Sequence, residues 1–232
     1  MGVQEGGASA VDPQTMHARP PSSATIRSME SGEAKPEGPG NGDGAVPVFT
    51  IGYGSRRTAE EFIELIGRYG VKYLVDVRTK PYSKFRPEFS KEAIGAIARR
   101  AGIVYVFMGD TLGGLPGDTS CYIDGKVDYT LVRDRDWFKS GIDRVEAGWK
   151  AGHCLAMMCA ELEPERCHRS KLLGEALIAR GVPIGHIDEG GGVLTQQAVL
   201  DRLTDGQGAL FDTGLTSRKK YRPAVGSDEG IG

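Results

Sequence analysis

Two cysteines, a glutamate, a histidine and an arginine fall within one short stretch of the chain. They are Cys159, Glu161, Cys167, His168 and Arg169. A thiol at the start of a helix beside basic side chains has a stabilised thiolate, which makes it a better nucleophile. A neighbouring carboxylate can accept or deliver a proton. The stretch therefore predicts a catalytic centre in which a thiolate attacks or Glu161 moves a proton, while Arg169 and the helix N-terminus stabilise negative charge.

Two known kinds of site share part of this pattern. Cys159-Ala160-Glu161 is similar to the first half of a zinc-dependent deaminase motif, but the chain has no Cys-x-x-Cys pair to complete that motif. A Cys-x5-Arg loop, as in phosphatases and sulfurtransferases, would need an arginine where the chain has Glu165, because Arg166 comes one position late. Neither pattern is complete.

A zinc site is a third alternative. Cys159, Cys167, His168 and His186 carry suitable ligand atoms. Adjacent residues such as Cys167 and His168 rarely face one tetrahedral ion, however. We therefore predict no cofactor and expect a metal to be absent or weakly held, with zinc as the alternative.

Short apolar runs alternate with amphipathic stretches from Val46 onwards. The predicted strands are the apolar runs, at residues 46–51, 73–77, 104–107, 155–159 and 184–187. The predicted helices are the amphipathic stretches, at residues 59–69, 91–101, 134–149, 168–180 and 195–203. Strands that alternate with helices form a parallel sheet covered on both faces. We predict a single Rossmann-like α/β domain whose mostly parallel sheet has about five strands.

The two ends of the chain have a different composition. Residues 1–45 are rich in Gly, Pro, Ser and acidic side chains and show no regular hydrophobic period, which predicts a disordered tail. Residues 204–232 are polar and Gly-rich, which predicts a second flexible tail. The folded domain is expected to span residues 46–203.

Ligands of open α/β sheets bind outside the carboxyl ends of the strands. After the first predicted strand, Gly52 and Gly54 would let backbone N–H groups approach an anion near a helix start. After the second, residues 78–100 carry seven basic and two acidic side chains, with three aromatic rings between them. Cations and rings together suit a nucleic acid or nucleotide. The residues expected to hold phosphate or base are Tyr53, Ser55, Arg78, Ser83 and Arg86.

Composition limits the partners. The 232 residues have a formal net charge of -2, so whole-chain electrostatics predict neither nucleic-acid nor membrane binding, and a nucleic-acid site must rest on local patches. No apolar run approaches the roughly 20 residues of a membrane span. The N-terminus has no basic start followed by an apolar core, so we expect a cytoplasmic protein without a membrane partner.

Several short motifs follow one another in a fixed order. They are Thr50-Ile51-Gly52-Tyr53, Val75-Asp76-Val77-Arg78, Leu112-Gly113-Gly114, Met158-Cys159-Ala160-Glu161, Cys167-His168-Arg169 and His186-Ile187. Together they resemble the domain of unknown function 488 family over about residues 48–190. That family has no established reaction. The resemblance adds Asp76, Gly113, Gly114 and His186 to the residues expected to bind substrate.

The second tail contains Gln207-Gly208-Ala209-Leu210-Phe211. This segment is similar to the peptide with which bacterial replication and repair proteins bind the sliding clamp. Such a peptide inserts apolar anchors into a preformed groove, so Gln207, Leu210 and Phe211 are expected to bind that partner.

These observations predict a nucleic-acid- or nucleotide-processing enzyme in a DNA repair or modification setting. One alternative is a non-enzymatic DNA-binding adaptor in which the Cys/His cluster is structural. Another is a small-molecule thiol-dependent enzyme.

Overall fold

Eight short strands are present in the computed structural model, which describes residues 46–54, 58–203, 215–218 and 220. In chain order they are β1 (Val48–Gly52), β2 (Tyr73–Asp76), β3 (Val104–Phe107), β4 (Tyr122–Ile123), β5 (Lys126–Val127), β6 (Leu155–Cys159), β7 (Ile184–Ile187) and β8 (Val193–Thr195). Six of them form one sheet in the order β3-β2-β6-β1-β7-β8. All pairings in this sheet are parallel except that of β7 with β8.

Seven α-helices lie between or after these strands. They are α1 (Ala59–Arg68), α2 (Lys91–Arg100), α3 (Gly109–Leu112), α4 (Tyr129–Arg133), α5 (Asp136–Lys150), α6 (Glu175–Ile178) and α7 (Gln196–Leu203) within the described residues. The start of α1 shows the local cause of such a boundary. Thr58 Oγ1 accepts from the Glu61 N–H at 3.0 Å, and Glu61 Oε2 accepts from the Thr58 N–H at 3.1 Å. The two bonds satisfy N–H groups that a helix start leaves unpaired.

Helices cover both faces of the sheet because its strands are apolar on both sides. Leu155, Met157 and Cys159 of β6 belong to the core on one face, together with α5 and α6. Ala156 and Met158 belong to the core on the other face, together with α1 and α2. The predicted α/β class with a mostly parallel sheet is confirmed.

The strand order places β6 in the centre of the sheet. It lies between β1 and β2, while β7 lies on the far side of β1. After β1 the chain continues to β2 on one side of the sheet, and after β6 it continues to β7 on the other side, so the two connections run in opposite directions. In doubly wound sheets a crevice opens at such a reversal, outside the carboxyl ends of the strands.

Three parts of the structure differ from the sequence-based expectation. The antiparallel strand β8 and the β4–β5 hairpin were not predicted, because runs of two or three residues show no period. The stretch predicted as a helix at 168–180 is a π-helical segment (Arg169–Gly174) followed by α6. Residues 215–218, expected to be tail, lie against the domain: Tyr129 N–H donates to Leu215 O and Ser217 N–H donates to Val127 O, both at 2.9 Å.

No helix in the described ranges combines the length and the apolar character needed to cross a bilayer.

Candidate functional site

The loop that follows β6 is held against the end of β1. Tyr53 N–H donates to Cys159 O at 3.2 Å and Gly54 N–H donates to Ala160 O at 3.1 Å, so the pairing of the two strands continues past their ends. A Cβ at Gly52 would lie 1.7 Å from Glu161 O, and only glycine permits this approach. The N–H groups of Tyr53 and Gly54 are thus used within the sheet, and residues 55–57, which complete the turn, lie outside the described residues.

A turn of 3-10 helix (Pro164–Arg166) returns the chain to the same edge of the sheet. Cys167 N–H donates to Pro164 O at 3.0 Å, and Ser170 Oγ donates to the same oxygen at 2.6 Å. Arg169 N–H points to Cys167 Sγ at 3.5 Å. The turn therefore brings Cys167 and His168 back beside Cys159.

Four potential ligand groups meet at this place: the ligand atoms of Cys159, Glu161, Cys167 and His168 all lie within 4.8 Å of one another. His168 Nδ1 is 3.6 Å from each of the two sulfur atoms. Glu161 Oε2 is 2.9 Å from Cys159 Sγ and 3.5 Å from Cys167 Sγ. The group is close enough to hold a metal ion, and the objection that adjacent Cys167 and His168 could not converge does not apply to this geometry.

The orientation of the His168 ring determines which nitrogen faces the sulfur atoms. His168 Nε2 lies 3.1 Å from Val77 O. Since a carbonyl oxygen only accepts hydrogen bonds, Nε2 carries a proton and donates it. The lone pair of the neutral ring is then on Nδ1, between the two thiols. Histidines that bind metals have this arrangement, in which the second nitrogen is fixed by a carbonyl or carboxylate.

Burial and neighbouring charge control the protonation of these groups. The hydrogen bond with Cys167 and the burial of the sulfur raise the pKa of Cys159 well above its ordinary value. Burial opposes ionisation of Glu161, but the Cys159 hydrogen bond and the His168 charge outweigh it and lower the pKa of Glu161. Burial likewise opposes protonation of His168, and its interactions with Cys159 and Glu161 nonetheless raise its pKa. The Cys159 sulfur is therefore held as a protonated thiol in the absence of a cation.

A pocket of about 210 Å³ opens onto this cluster. Predicted site residues in its lining are Tyr53, Arg78, Gly114, Cys159, Glu161 and His168. Residues in its lining that the sequence analysis did not select are Thr79, Lys80, Tyr82, Leu115, Tyr129, Ala160, Arg166, Ser217 and Arg218. Lys80 belongs to the basic segment at residues 78–100 that the sequence shows. No motif indicated that Ser217 or Arg218 belongs to a site.

Two predicted residues support the pocket from behind. Asp76 is fully buried and binds Arg78 through both carboxylate oxygens. A Cβ at Gly113 would lie 2.3 Å from Thr79 Oγ1, so Gly113 lets two loops of the pocket touch. Both residues position neighbours and do not line the pocket themselves.

Ser83 and Arg86 brace the basic loop. Ser83 Oγ accepts from the Arg86 N–H at 3.1 Å. The Arg86 side chain binds Glu88 at 2.6 Å and Gly54 O at 3.2 Å and lies over the Phe89 ring. Neither residue lines the pocket. Ser55 and the tail residues Gln207, Leu210 and Phe211 lie outside the described residues.

His186 lies inside the fold and away from the two thiols. Its Nδ1 is 2.7 Å from Thr50 Oγ1 and its Nε2 is 2.6 Å from Gln196 Oε1. Both ring nitrogens are thus engaged, and burial lowers the pKa of His186 to about 4. The sequence analysis included His186 among four zinc ligands and among substrate-binding residues. The group that joins the two cysteines and His168 is instead Glu161.

Arg169 is fully buried beneath the loop that follows β6. Its Nη2 donates to Leu162 O, and a Cβ at Gly52 would lie 2.8 Å from its Nη1. Arg169 does not line the pocket. It therefore positions the loop. Its Nε and Nη1 atoms are buried and have no hydrogen-bond partner among the described residues, and the stabilisation of reaction charge by Arg169 stays a prediction.

Comparison with known proteins gives one match. The family model described as domain of unknown function DUF488 matches residues 58–176, which is slightly more than half of the 232 residues. Searches among curated proteins and among solved structures find no match. The matched range includes Asp76, Arg78 and the whole Cys159 to Arg169 stretch, and the resemblance inferred from the motifs is confirmed. The chain belongs to the DUF488 family of domains of unknown function.

Proposed function

We propose that this protein is a zinc-dependent enzyme that processes nucleic acid or nucleotides at the carboxyl edge of its sheet. The observation that carries the proposal is the convergence of two buried thiols and the free nitrogen of His168 beside Glu161, at the base of a pocket. Catalytic zinc sites commonly have three protein ligands and leave a fourth position for water or substrate, and two cysteines with one histidine are such a set.

The distances favour Cys159, Cys167 and His168 as the three ligands. In a tetrahedral zinc site with bond lengths of about 2.0–2.3 Å, ligand atoms lie about 3.5–3.8 Å apart. His168 Nδ1 meets this value at 3.6 Å from each sulfur. Glu161 Oε2 is only 2.9 Å from Cys159 Sγ, which is a hydrogen-bond distance. Glu161 also lines the pocket, where a proton acceptor would be useful.

The proposed reaction is hydrolysis. Zinc held by Cys159, Cys167 and His168 would supply a water molecule whose pKa is lowered towards neutrality. Glu161 accepts one proton from the attacking water as the water oxygen bonds to the electrophilic atom of the substrate. The bond to the leaving group then breaks with its electron pair, and Glu161 returns the proton to the leaving group. One water is added across one bond, and no oxidant or reductant is needed.

The loop that supplies Lys80 and Tyr82 to the pocket lining supports a nucleic-acid substrate. Tyr82 and Phe85 are 72% and 90% exposed, unusual values for large rings. Lys80 and Lys84 are exposed in the same loop. Exposed rings between cations suit stacking on unpaired bases together with contact to the backbone. Phe89, the third ring of this segment, is buried and stacks on the Tyr53 ring at 4.3 Å, so it supports the loop instead.

The cysteines support the cellular setting that we propose. Cys121, Cys154, Cys159 and Cys167 are all unpaired. Free thiols are typical of reducing compartments, and we propose a cytoplasmic protein associated with DNA, recruited through residues 207–211 to the sliding clamp.

The adaptor alternative makes a different use of Glu161. A structural zinc site is closed by four protein ligands. If Glu161 is the fourth ligand, no position remains for water and the cluster only stabilises the fold. The thiol-enzyme alternative needs a reactive thiolate without metal, which the raised pKa of Cys159 opposes.

Glu161→Gln tests the proposal against both alternatives. Zinc content and hydrolysis of nucleotides and of single-stranded DNA and RNA are measured on the same preparations, with products identified by mass spectrometry. We expect Glu161→Gln to retain zinc and to lose activity about 10²- to 10⁴-fold, the usual contribution of a general acid–base group. Glu163→Gln, in the same loop and ion-paired with Arg166 at 2.9 Å, is the matched control and should stay active. Loss of zinc from Glu161→Gln would support the closed structural site instead.

A further inference from the structure

Arg78 is part of the pocket wall and has one nitrogen that makes no hydrogen bond. Its Nε and Nη2 atoms donate to the two carboxylate oxygens of Asp76 at 2.8 and 2.6 Å. Its Nη1 is buried and has no hydrogen-bond partner among the described residues. The side chain is only 5% exposed, yet it lines the pocket. A buried guanidinium with an unused donor favours the approach of an anion.

Asp76 fixes the position of Arg78. The same carboxylate accepts from the Tyr105 hydroxyl at 2.6 Å and from the Arg78 backbone N–H at 3.1 Å. Four donors therefore hold Asp76, which in turn holds two of the guanidinium nitrogens. Arg78 is a preorganised donor whose side chain does not have to be ordered when a ligand binds.

A second cation reaches the pocket from the C-terminal strap, which we define as residues 215–218. The strap is fixed to β5 and α4: Val127 N–H donates to Ser217 Oγ at 3.0 Å, and Asp128 and Thr216 form an antiparallel bridge. Ser217 and Arg218 line the pocket as a result, and Arg218 is exposed. Two residues of the strap, Ser217 and Arg218, thus form part of the pocket wall.

The charges of the pocket are unbalanced. Its basic lining residues are Arg78, Lys80, Arg166 and Arg218, and Glu161 is its only lining carboxylate within the described part of the chain. Two of these cations are paired outside the lining, Arg78 with Asp76 and Arg166 with Glu163. Its volume of about 210 Å³ lies below the roughly 300–1,000 Å³ of sites that enclose a whole drug-sized ligand. The pocket is therefore suited to one charged group of a larger molecule.

We infer that the pocket holds a terminal phosphate of the substrate, bound by Arg78 and by Arg218 of the C-terminal strap, next to the Cys159, Cys167 and His168 cluster. This inference rests on the proposed function and names its substrate class. A phosphate monoester carries close to two negative charges at neutral pH and three free oxygens, whereas an internal phosphodiester carries one charge. The lining cations outside those two pairs, Lys80 and Arg218, together with the unused Nη1 of Arg78, match the monoester, and its oxygens can accept from several walls at once.

The test compares one single-stranded oligonucleotide with and without a phosphate at each end, bound to zinc-loaded full-length protein and followed by fluorescence anisotropy. We expect a terminal phosphate to tighten binding roughly tenfold or more, as charged hydrogen bonds do. Inorganic phosphate and a nucleoside monophosphate should compete for the site. Arg218→Ala and Arg78→Lys should each remove most of the gain, and Arg78→Lys keeps a positive charge beside Asp76 so that the fold is preserved. Arg100→Ala, an exposed cation at the end of α2, is the control and should keep the gain.

Equal affinity for the two oligonucleotides, or a full gain in Arg218→Ala and Arg78→Lys, would overturn the inference. Zinc content, measured on the same samples, separates this failure from that of the proposed function. Zinc-loaded protein that ignores the phosphate contradicts only the inference. Protein that binds the phosphate through Arg78 and Arg218 but holds no zinc contradicts only the zinc chemistry.

Discussion

The imidazole ring of His168 lies directly against Gly114. A Cβ added at Gly114 would lie 2.7 Å from His168 Cγ and 2.9 Å from its Nδ1. The loop that follows α3 therefore sets the position of the nitrogen that faces the two thiols. Gly114 contributes to the site because the absence of a side chain leaves room for the His168 ring.

Gly114→Ala should displace His168 and weaken metal binding. Because Nδ1 is the atom nearest to the sulfur atoms, we expect the affinity for zinc to fall about 10- to 100-fold, as when a supporting contact of a ligand is lost. Competition with a chromophoric chelator measures the affinity. Gly117→Ala, in the same loop with no atom within 4 Å of its added Cβ, is the matched control. An unchanged affinity in Gly114→Ala would mean that His168 does not bind the metal.

The pKa of His186 predicts a pH-dependent stability. Burial lowers this pKa from 6.5 to about 4 in the folded chain. Between these two values the unfolded chain binds a proton that the folded chain does not. The free energy of unfolding should therefore be undiminished above pH 6.5 and fall as the pH is lowered towards 4, by on the order of 3 kcal/mol in total.

Chemical denaturation of the wild type and His186→Gln across this pH range checks the prediction. The difference between the two curves isolates the histidine, because all carboxylates titrate in both proteins. If His186→Gln does not fold, NMR titration of the ring in the wild type gives the pKa directly. A ring that titrates near 6.5 would exclude the buried, doubly hydrogen-bonded histidine described here.

The sequence was sufficient for the parallel strands and for the stretch that contains the Cys159, Glu161, Cys167 and His168 cluster, but not for Glu161 as the fourth potential metal ligand. Four of the five predicted strands are found with ends at most one residue from the expected ones, and β1 is shifted by up to two, because short apolar runs bounded by turns are typical of buried strands. His186 was grouped with the cysteines because its ring carries a suitable ligand atom. Strand order decided otherwise: β7 is separated from β6 by β1, so His186 faces Thr50 and Gln196.

The role of Arg169 could not be inferred from sequence either. An arginine beside a histidine and a cysteine suggests contact with an anion. The Arg169 side chain contacts the loop after β6, where its Nη2 donates to Leu162 O and its Nη1 lies close to Gly52. The sequence does not show that these segments lie next to each other. The opposite holds for Arg218. It lines the pocket, but it is far from the other pocket residues in the sequence and was not predicted to belong to the site.

The exposed rings of the basic loop should contribute to binding of single-stranded nucleic acid. Tyr82→Ala with Phe85→Ala should weaken binding, because stacking contributes about 1–3 kcal/mol per base. Fluorescence anisotropy at fixed salt measures the loss. Val104→Ala with Ile123→Ala removes two exposed apolar side chains elsewhere, at 51% and 53% exposure, and is the control. Equal affinities for the two double variants would place the nucleic-acid surface elsewhere.

The tail segment at residues 207–211 should bind the sliding clamp without contributing to the fold. Leu210→Ala with Phe211→Ala should leave the free energy of unfolding within about 0.5 kcal/mol of the wild type. The same change should abolish clamp binding, since loss of an anchor residue typically costs on the order of 2 kcal/mol. Leu215→Ala is the control, because Leu215 packs on the domain core and its loss should lower stability while clamp binding persists. Marked destabilisation of the double variant, or retained clamp binding, would contradict the prediction.

The zinc content of the purified full-length protein tests the central claim most directly. Protein expressed with zinc and dialysed without chelator should contain one zinc ion per chain by elemental analysis. Cys159→Ser, Cys167→Ser and His168→Ala should each lose it, whereas Cys154→Ser, whose sulfur lies 3.5 Å from Tyr69 O and away from the cluster, should retain it. Folded wild-type protein that holds no zinc, or an equal content in all four variants, would contradict the assignment of Cys159, Cys167 and His168 as a metal centre.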